Sequence, residues 1–199
     1  MAGKGVVALT GATGFVGGAT LHQLVETGWQ VRALTRRSQQ AKAGVTWVEG
    51  ALDRPESLAQ LCEGADAILH IAGVVNAPDA AGFEAGNVTG TAHLLSAAKE
   101  SGIRRFVHVS SLSAREPQLS VYGSSKAKGE KLVATSMLDW TILRPPGVYG
   151  PGDTEVFEAL ATEYATDVRL SLRRRRGDEF QTKIVLETPH VVSYDFEAD

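Results

Sequence analysis

Tyr122 and Lys126 have the residue types and the spacing that proton transfer to an oxygen requires. Gly, Ser and Ser separate the two residues, and on a helix this spacing places both side chains on one face, one turn apart. An ammonium beside a phenol favours the phenolate, which makes the tyrosine a better group for proton exchange. The sequence therefore predicts an acid–base pair on a helix.

Two hydroxyl side chains, Ser110 and Ser111, precede this pair at the point where an apolar run ends. In an open parallel sheet, ligands bind beyond the carboxyl ends of the strands. Because the run at residues 106–110 has the composition of a buried strand, we expect both serines to lie at the same site as Tyr122 and Lys126.

A glycine-rich segment near the N-terminus has a pattern that indicates binding of a phosphate group. It begins directly behind the apolar residues 6–9 and is followed by apolar residues at helical spacing. A strand, a glycine-rich turn and a helix together let the backbone approach a pyrophosphate and present free N–H groups to its charge. The segment predicts a dinucleotide cofactor, held by Gly11, Thr13, Gly14, Phe15, Val16 and Gly17.

Short apolar runs alternate with helical patterns over most of the chain, which predicts the elements that must position these residues. The predicted helices are residues 15–27, 56–62, 83–101 and 121–135, and the predicted strands are residues 6–10, 30–35, 45–48, 67–71, 106–110 and 141–143. Such alternation with near-continuous apolar strands is typical of an α/β fold. We expect a doubly wound parallel sheet, a Rossmann fold, with helices on both faces.

The pattern fades after about residue 160. We therefore divide the chain into a dinucleotide-binding Rossmann domain, residues 1–160, and an atypical C-terminal tail, residues 161–199. The tail contains four consecutive arginines, at 173–176, and little helical or strand periodicity. A block of like charge is more typical of a solvated face or a mobile segment than of a binding patch.

Composition limits the classes of partner. The 199 residues suffice for one sizeable domain, and the net charge of −3 gives no electrostatic reason to expect nucleic acid or an anionic membrane. No apolar stretch approaches the ~20 residues of a membrane span, and the N-terminus leaves no room for a signal peptide. The lone Cys62 fits a reducing cytosol and is expected to be a packed side chain. We expect a cytoplasmic protein without a metal site, in which His70 and His108 are hydrogen-bonded core residues and Trp140 is a packing residue.

Taken together, several segments resemble the extended short-chain dehydrogenases/reductases, specifically the NAD(P)-dependent epimerase/dehydratase family and its 3β-hydroxysteroid-dehydrogenase-like members. They occur in the family's order and cover residues 5 to 158. The segments are the glycine-rich turn from Thr10 to Gly17, Leu-His-Ile-Ala-Gly ending at Gly73, Asn-Val-Thr-Gly-Thr from Asn87, Val-Ser-Ser ending at Ser111, Tyr122 to Lys126, and Arg-Pro-Pro-Gly-Val-Tyr-Gly-Pro-Gly-Asp from Arg144.

The resemblance implies roles for individual residues. Tyr122 exchanges a proton with a substrate oxygen, Lys126 holds the nicotinamide ribose, and Ser111 hydrogen-bonds the reacting oxygen. Asn87 helps to order these groups. Further cofactor contacts are implied for Ala72, Gly73, Ser110, Pro145, Pro146 and Val148. Near the adenine, the family's Gly-Asp-Leu is replaced by Gly50, Ala51 and Leu52, so Leu52 is expected to cover the ring without an adjacent carboxylate.

Cofactor preference is predicted from the end of the second strand. Family members that prefer NAD place an acidic residue there, whereas this chain has Thr35 followed by Arg36 and Arg37. Two guanidiniums suit a 2′-phosphate through charge-assisted bidentate bonds. We therefore expect NADP, with NAD as the alternative.

The resemblance implies an NAD(P)-dependent oxidoreductase or epimerase that acts on an alcohol or ketone, a sterol-like molecule or a nucleotide sugar, and we favour a reductase. The alternative is a sensor or accessory subunit that binds NADP(H) without turnover. Family members continue past the Gly-Pro-Gly-Asp turn into a substrate domain, and here the likeness stops. A truncated or recombined end and a divergent short member both stay open, as does a homodimer.

Overall fold

A six-stranded parallel sheet organises residues 4–148, the part of the chain that the computed structural model describes. Its strands begin and end within two residues of the predicted positions. They are β1 (Val6–Thr10), β2 (Gln30–Thr35), β3 (Val45–Glu49), β4 (Ala67–His70), β5 (Arg105–Val109) and β6 (Asp139–Leu143). The end of the proposed domain at residue 160 and the tail at 161–199 lie outside the described residues.

Five α-helices connect these strands, and each predicted helix is present. They are α1 (Phe15–Glu26), α2 (Pro55–Cys62), α3 (Ala80–Phe83), α4 (Gly90–Glu100) and α5 (Val121–Ala134). The π-helical segment Glu84–Thr89 joins α3 to α4, and a 3₁₀ turn, Leu112–Arg115, precedes α5. The helix predicted at 83–101 starts three residues earlier, because the Asp79 side chain caps it by accepting a hydrogen bond from the Gly82 N–H, 2.8 Å.

The strand order is β3-β2-β1-β4-β5-β6, with every neighbouring pair parallel. The chain runs outwards in one direction from β1 to β3 and then crosses back to β4 on the other side of β1. The loops after β1 and β4 therefore leave the sheet in opposite directions and open a crevice between them. This reversal is where dinucleotides bind in doubly wound folds.

Apolar packing covers both faces of the sheet, as the sequence predicted. Adjacent residues of β1 point to opposite sides, so that Ala8 joins one cluster and Leu9 the other. The larger cluster includes Leu58 of α2, Leu94 of α4 and Val133 of α5, all fully buried. Leu21 of α1 belongs to the cluster on the opposite face.

Two predictions about single side chains have different outcomes. Cys62 is 1 % exposed, and burial raises the pKa of its thiol to about 11, which confirms a packed residue and not a reactive one. Trp140, expected to be a packing residue, is 43 % exposed. It lies on β6, which within residues 4–148 pairs with β5 alone. In residues 4–148 no helix is both long and apolar enough to cross a membrane.

Candidate active site

The glycine-rich turn, residues 11–17, follows β1 at the crevice. Gly11 has φ +79°, and a Cβ there would lie 2.6 Å from the Ala72 nitrogen in the loop after β4. A Cβ on Gly17 would overlap the carbonyl oxygen of Gly11. Only glycine fits at either position, so the turn, the start of α1 and the β4 loop approach one another with backbone atoms alone.

The N-terminus of α1 is open to a ligand. Its N-cap is Gly14, whose lack of a side chain leaves the first helical N–H groups without a side-chain cap, and the first turn carries no acidic residue. Thr13 and Gly14 are exposed, whereas Phe15 and Val16 are half-buried. Free N–H groups and the positive end of the helix dipole form a site for an anion such as a pyrophosphate.

At the end of β2, the buried Thr35 shapes the turn that carries the two arginines. Its hydroxyl donates to the Arg37 carbonyl, 2.7 Å, and accepts from the Arg37 N–H, 3.3 Å. Arg36 and Arg37 are both exposed at this edge. The turn therefore presents both guanidiniums at this edge of the sheet, where they can reach a phosphate.

The residues after β3 form the next part of the same edge. The backbone N–H and carbonyl of Ala51 both bond the Ser57 hydroxyl of α2, at 3.2 and 3.1 Å. Leu52 is half-buried, and its carbonyl accepts a hydrogen bond from Nδ1 of His93, 2.8 Å. Because Leu52 also packs against Gly90 of α4, helices on both sides fix its position.

The loop after β4 connects the crevice to α5. A Cβ on Gly73 would lie 3.0 Å from Oδ1 of Asn87 and 3.5 Å from Nζ of Lys126. Asn87 accepts from the Val74 N–H, 2.7 Å, and donates to the Val74 carbonyl, 2.8 Å, and to the Ser125 hydroxyl, 2.9 Å. These bonds tie the loop after β4 to the π-helical segment and to α5, and the ordering role of Asn87 stays a prediction. Asn87 lies in the π-helical segment, a type of distortion that is frequent at functional sites.

The N-terminus of α5 carries Tyr122. The Ser120 hydroxyl caps the helix by accepting from the Gly123 N–H, 2.9 Å. A Cβ on Gly123 would lie 2.6 Å from the Ser113 carbonyl, so α5 packs closely on the 3₁₀ turn. Ser111 is the N-cap of that turn and accepts from the Ser113 N–H, 3.2 Å. This bond uses a lone pair and leaves the Ser111 hydroxyl proton free to donate.

Lys126 is buried one turn further along α5. Its side chain is 4 % exposed, and Nζ donates to the Val109 carbonyl at the end of β5, 2.9 Å. Burial lowers the pKa of Lys126 to about 8, and the charge of Glu130 opposes that shift. An ammonium has three donors, so two remain for other partners.

Ser110 and the segment after β6 complete this edge. The Ser110 N–H donates to the Leu143 carbonyl, 2.7 Å, and the Leu112 N–H donates to the Pro145 carbonyl, 2.9 Å. The Ser110 hydroxyl is buried beside the Glu130 carboxylate, without a hydrogen bond of good geometry in residues 4–148. Val148 is exposed. These contacts place Pro145 next to the Ser111 turn.

The two central histidines differ. His70 accepts from the Thr10 hydroxyl at Nδ1, 2.7 Å, and donates from Nε2 to Thr91, 3.0 Å, because the Thr91 hydroxyl donates its own proton to the Asn87 carbonyl. The hydroxyl of Thr10 also accepts from the Ala72 N–H, 3.2 Å. This confirms a hydrogen-bonded core histidine. It also gives a chain of bonds, not predicted from the sequence, from the β4 loop to the π-helical segment.

For His108 the structure confirms the core position, but no hydrogen bond to its ring comes from residues 4–148. The ring is 1 % exposed and lies 5.2 Å from that of His70, yet neither nitrogen has a hydrogen-bond partner within residues 4–148. Burial and the charge of Lys126 lower the pKa of His108 to about 3, against an opposing effect of Glu130. The pKa of His70 is also well below its ordinary value, mainly because of burial. Both rings are therefore neutral at physiological pH.

Sequence reasoning missed the ion pair between α5 and the end of β6. Glu130 is buried, and Arg144 reaches it with two parallel bonds, 2.9 Å from Nε to Oε1 and 2.6 Å from Nη2 to Oε2. The available signal was the spacing: Glu130 follows Lys126 by four residues on the same helix, and Arg144 precedes the two prolines of the predicted cofactor segment.

Comparison with known proteins extends this picture. Residues 11–171 match the family model described as NAD(P)H-binding. The ceramide reductase of Caulobacter vibrioides is 43 % identical over 156 residues, which cover 76 % of this chain and 49 % of that protein. The 2-alkyl-3-oxoalkanoate reductase of Shewanella oneidensis is 31 % identical, with 73 % and 45 % covered. The chain spans about half the length of the curated relatives it matches.

Solved structures agree in fold. A short-chain dehydrogenase/reductase superfamily protein from Agrobacterium tumefaciens with bound NAD is 31 % identical, with a TM-score of 0.62, and the match covers 70 % of this chain and 48 % of that one. The Bordetella bronchiseptica enzyme WbmH in complex with NAD⁺ has a TM-score of 0.71 at 24 % identity, with 80 % and 62 % covered, which shows the fold. With the parallel sheet, its crevice and the family match in place, the chain belongs to the NAD(P)H-binding proteins of the extended short-chain dehydrogenase/reductase family.

Proposed function

We propose that the chain acts as an NADP-dependent carbonyl reductase on a substrate with an apolar chain. The observation that carries the proposal is the placement of Lys126. It is a buried ammonium held against the β5 end and beside Gly73 at the crevice, one turn from Tyr122. The Ser111 hydroxyl lies on the turn against which α5 packs.

In the proposed reaction, a ketone gains a hydride at carbon and a proton at oxygen. Bound NADPH supplies the hydride. Tyr122 donates its phenolic proton to the carbonyl oxygen and then takes another from water. Ser111 donates a hydrogen bond to that oxygen and so stabilises the developing charge. Lys126 stabilises the phenolate with its charge and binds ribose hydroxyls with the donors that Val109 leaves free.

The remaining predicted cofactor residues fit the same pose. The turn at residues 11–17 and the open α1 N-terminus suit the pyrophosphate, while Ala51 and Leu52 form a wall for the adenine. The exposed Arg36 and Arg37 favour NADP over NAD, because a dianionic 2′-phosphate would gain two guanidinium partners. Ala72, Gly73, Ser110, Pro145 and Val148 border the nicotinamide side in this proposal.

The apolar substrate is supported by the residues around the acid–base pair. Leu112 follows Ser111 directly, Leu119 lies just before α5 and Val121 begins it, and all three are exposed. The Phe83 ring stands 6.2 Å from that of Tyr122. Relatives named for ceramide, a farnesyl quinoline oxide and 2-alkyl-3-oxoalkanoates point to the same chemistry, and their names favour reduction over epimerisation.

The test combines binding with turnover. NADPH oxidation is followed with long-chain 3-oxo compounds and with a nucleotide sugar, and NADPH affinity is measured by fluorescence. Tyr122→Phe should lower kcat by about 10²–10⁴-fold, the usual contribution of a general acid, and leave NADPH affinity within a few-fold. Lys126→Met should weaken both, whereas Lys128→Met, an exposed lysine of the same helix, should change neither. Binding without turnover of any compound would favour the sensor or accessory alternative.

Cofactor preference is tested separately. Arg36→Ala/Arg37→Ala should reduce the ratio of NADPH to NADH affinity. Arg104→Ala/Arg105→Ala is the control, because it removes an adjacent pair of exposed arginines at the amino end of β5, away from the carboxyl ends of the strands. It should leave the ratio of NADPH to NADH affinity unchanged. An unaltered ratio in the first variant would remove the two arginines from the site.

A further inference from the structure

We infer that Glu130, clamped by Arg144, is a positioning residue for the catalytic pair: its buried carboxylate keeps Lys126 charged, and its ion pair ties α5 to the segment that borders the cofactor crevice. The inference rests on the proposed function only in assigning Lys126 to catalysis. It adds two residues for which the sequence resemblance implied no role.

The geometry around Glu130 has three parts. Glu130 lies one turn after Lys126 on α5 and is 6 % exposed. Arg144 engages both of its oxygens in the fork geometry that fixes a carboxylate most firmly. Arg144 itself is exposed, so the pair joins a buried carboxylate to a guanidinium at the surface.

The charged and titratable groups around Lys126 lie on four elements. Tyr122 and Glu130 share its helix, the charge of Lys126 acts on His108 of β5 and His70 of β4, and Arg144 at the end of β6 binds Glu130. Burial keeps both histidines neutral, with pKa values well below the ordinary range. Within residues 4–148, Glu130 is the anion that acts on Lys126.

This balance matters because Lys126 is buried. Burial lowers its pKa to about 8, and the Glu130 charge already opposes that decrease. Without the carboxylate, a large share of Lys126 would lose its proton near neutral pH and with it the charge that stabilises a phenolate. Arg144 has the opposite influence on Lys126, since it partly neutralises Glu130 while holding it in place.

The clamp also has a mechanical consequence. Arg144 directly precedes Pro145, whose carbonyl accepts the Leu112 N–H, 2.9 Å. The ion pair therefore fixes the distance between α5, which carries Tyr122, and the Pro145 segment. Removal of either partner would loosen both sides of the site at once.

The two substitutions Glu130→Gln and Arg144→Gln separate the electrostatic role from simple damage. Both break the clamp, but they remove opposite charges. The titration of Lys126 is followed by NMR in the whole 199-residue chain labelled with ¹³C-lysine, with its resonance assigned by its absence in Lys126→Arg. We expect the midpoint to fall by about one pH unit in Glu130→Gln and to rise in Arg144→Gln.

Glu84→Gln is the matched control, because Glu84 pairs with Lys128 of the same helix at 2.8 Å but on an exposed surface. Its Lys126 midpoint should equal that of the wild type. Equal midpoints in Glu130→Gln and Glu84→Gln, or shifts of the same sign in Glu130→Gln and Arg144→Gln, would overturn the inference. If Glu130→Gln does not fold, the direction in Arg144→Gln decides: a rise supports the inference and a fall or no change refutes it.

The titration needs no substrate and no cofactor, so its result is independent of whether the proposed function holds. In active protein, the same variants should move the alkaline limb of the kcat profile with the Lys126 midpoint. A loss of activity with an unmoved limb would indicate a structural effect alone.

Discussion

The glycine-rich turn at residues 11–17 and the region around Lys126 and Glu130 of α5 are held together by different kinds of contact. At residues 11–17, contacts form because side chains are absent, and Gly11 and Gly17 let three backbone segments meet. Around α5, the contacts depend on the buried polar and charged side chains of His70, Lys126 and Glu130, the last of which is bonded by the exposed Arg144. In the first region, an added side chain would overlap the backbone. In the second, a removed side chain would leave a buried polar group without its partner or would remove a charge. The two regions should therefore respond to different kinds of substitution.

The largest effect is expected at the turn. Gly17→Ala should lower the free energy of unfolding by about 3 kcal/mol, the upper range for overpacking, because its Cβ would overlap the Gly11 carbonyl. NADPH binding should be lost at the same time. Gly18→Ala is the matched control: the nearest atom to its Cβ is 3.7 Å away, and helix propensity should stabilise it by up to about 1 kcal/mol. Chemical denaturation measures both variants, and equal stabilities would contradict a steric origin.

The next effect separates the two buried histidines. His70→Leu should destabilise the protein by about 2 kcal/mol, because Thr10 and Thr91 lose their buried partner. His108→Leu should change stability by less than about 1 kcal/mol, because no hydrogen bond within residues 4–148 is lost with the ring. Urea unfolding of both variants provides the test. A greater loss in His108→Leu would mean that its ring has a partner beyond those residues.

The same histidines predict a pH dependence of stability. Their pKa values are lowered in the folded state, to about 3 for His108, so below about pH 6.5 the unfolded chain binds more protons than the folded one. The free energy of unfolding should therefore fall as the pH drops below about 6.5, by up to ~1.4 kcal/mol per pH unit for each histidine. Urea unfolding at a series of pH values should give a smaller slope in His108→Leu than in the wild type.

The smallest effect is expected where charge is exposed. Glu84→Gln breaks the Glu84–Lys128 ion pair and should cost less than about 1 kcal/mol, because solvent screens both partners. Glu130→Gln should cost clearly more, since it leaves Arg144 without its buried partner. Both variants replace a glutamate by glutamine, one at an exposed position and one at a buried position, and thermal unfolding compares their stabilities. Equal losses would show that burial of Glu130 adds nothing to stability.

The sequence alone determined the parts of this protein that repeat with a local period or a fixed motif. Apolar runs predicted all six strands and the face-covering helices, because burial on both sides of a parallel sheet leaves few polar positions. Glycines at 11 and 17 predicted the cofactor turn, since few other structures need that spacing. The family resemblance added the roles of Ser111, Tyr122 and Lys126, which stay predictions until variants are measured.

Only the tertiary structure decided how these residues are supported. His70 bonds Thr10 of a different strand and Thr91 of a helix, and Glu130 bonds Arg144 at the end of β6. No local pattern records a contact between segments that are distant in the chain. For the same reason, the expectation shared by His70 and His108 is met in full only for His70: both rings are buried, but residues 4–148 supply hydrogen-bond partners to His70 alone. Hydrogen bonding of a buried ring depends on which side chains the fold brings within reach, and residue type does not specify that.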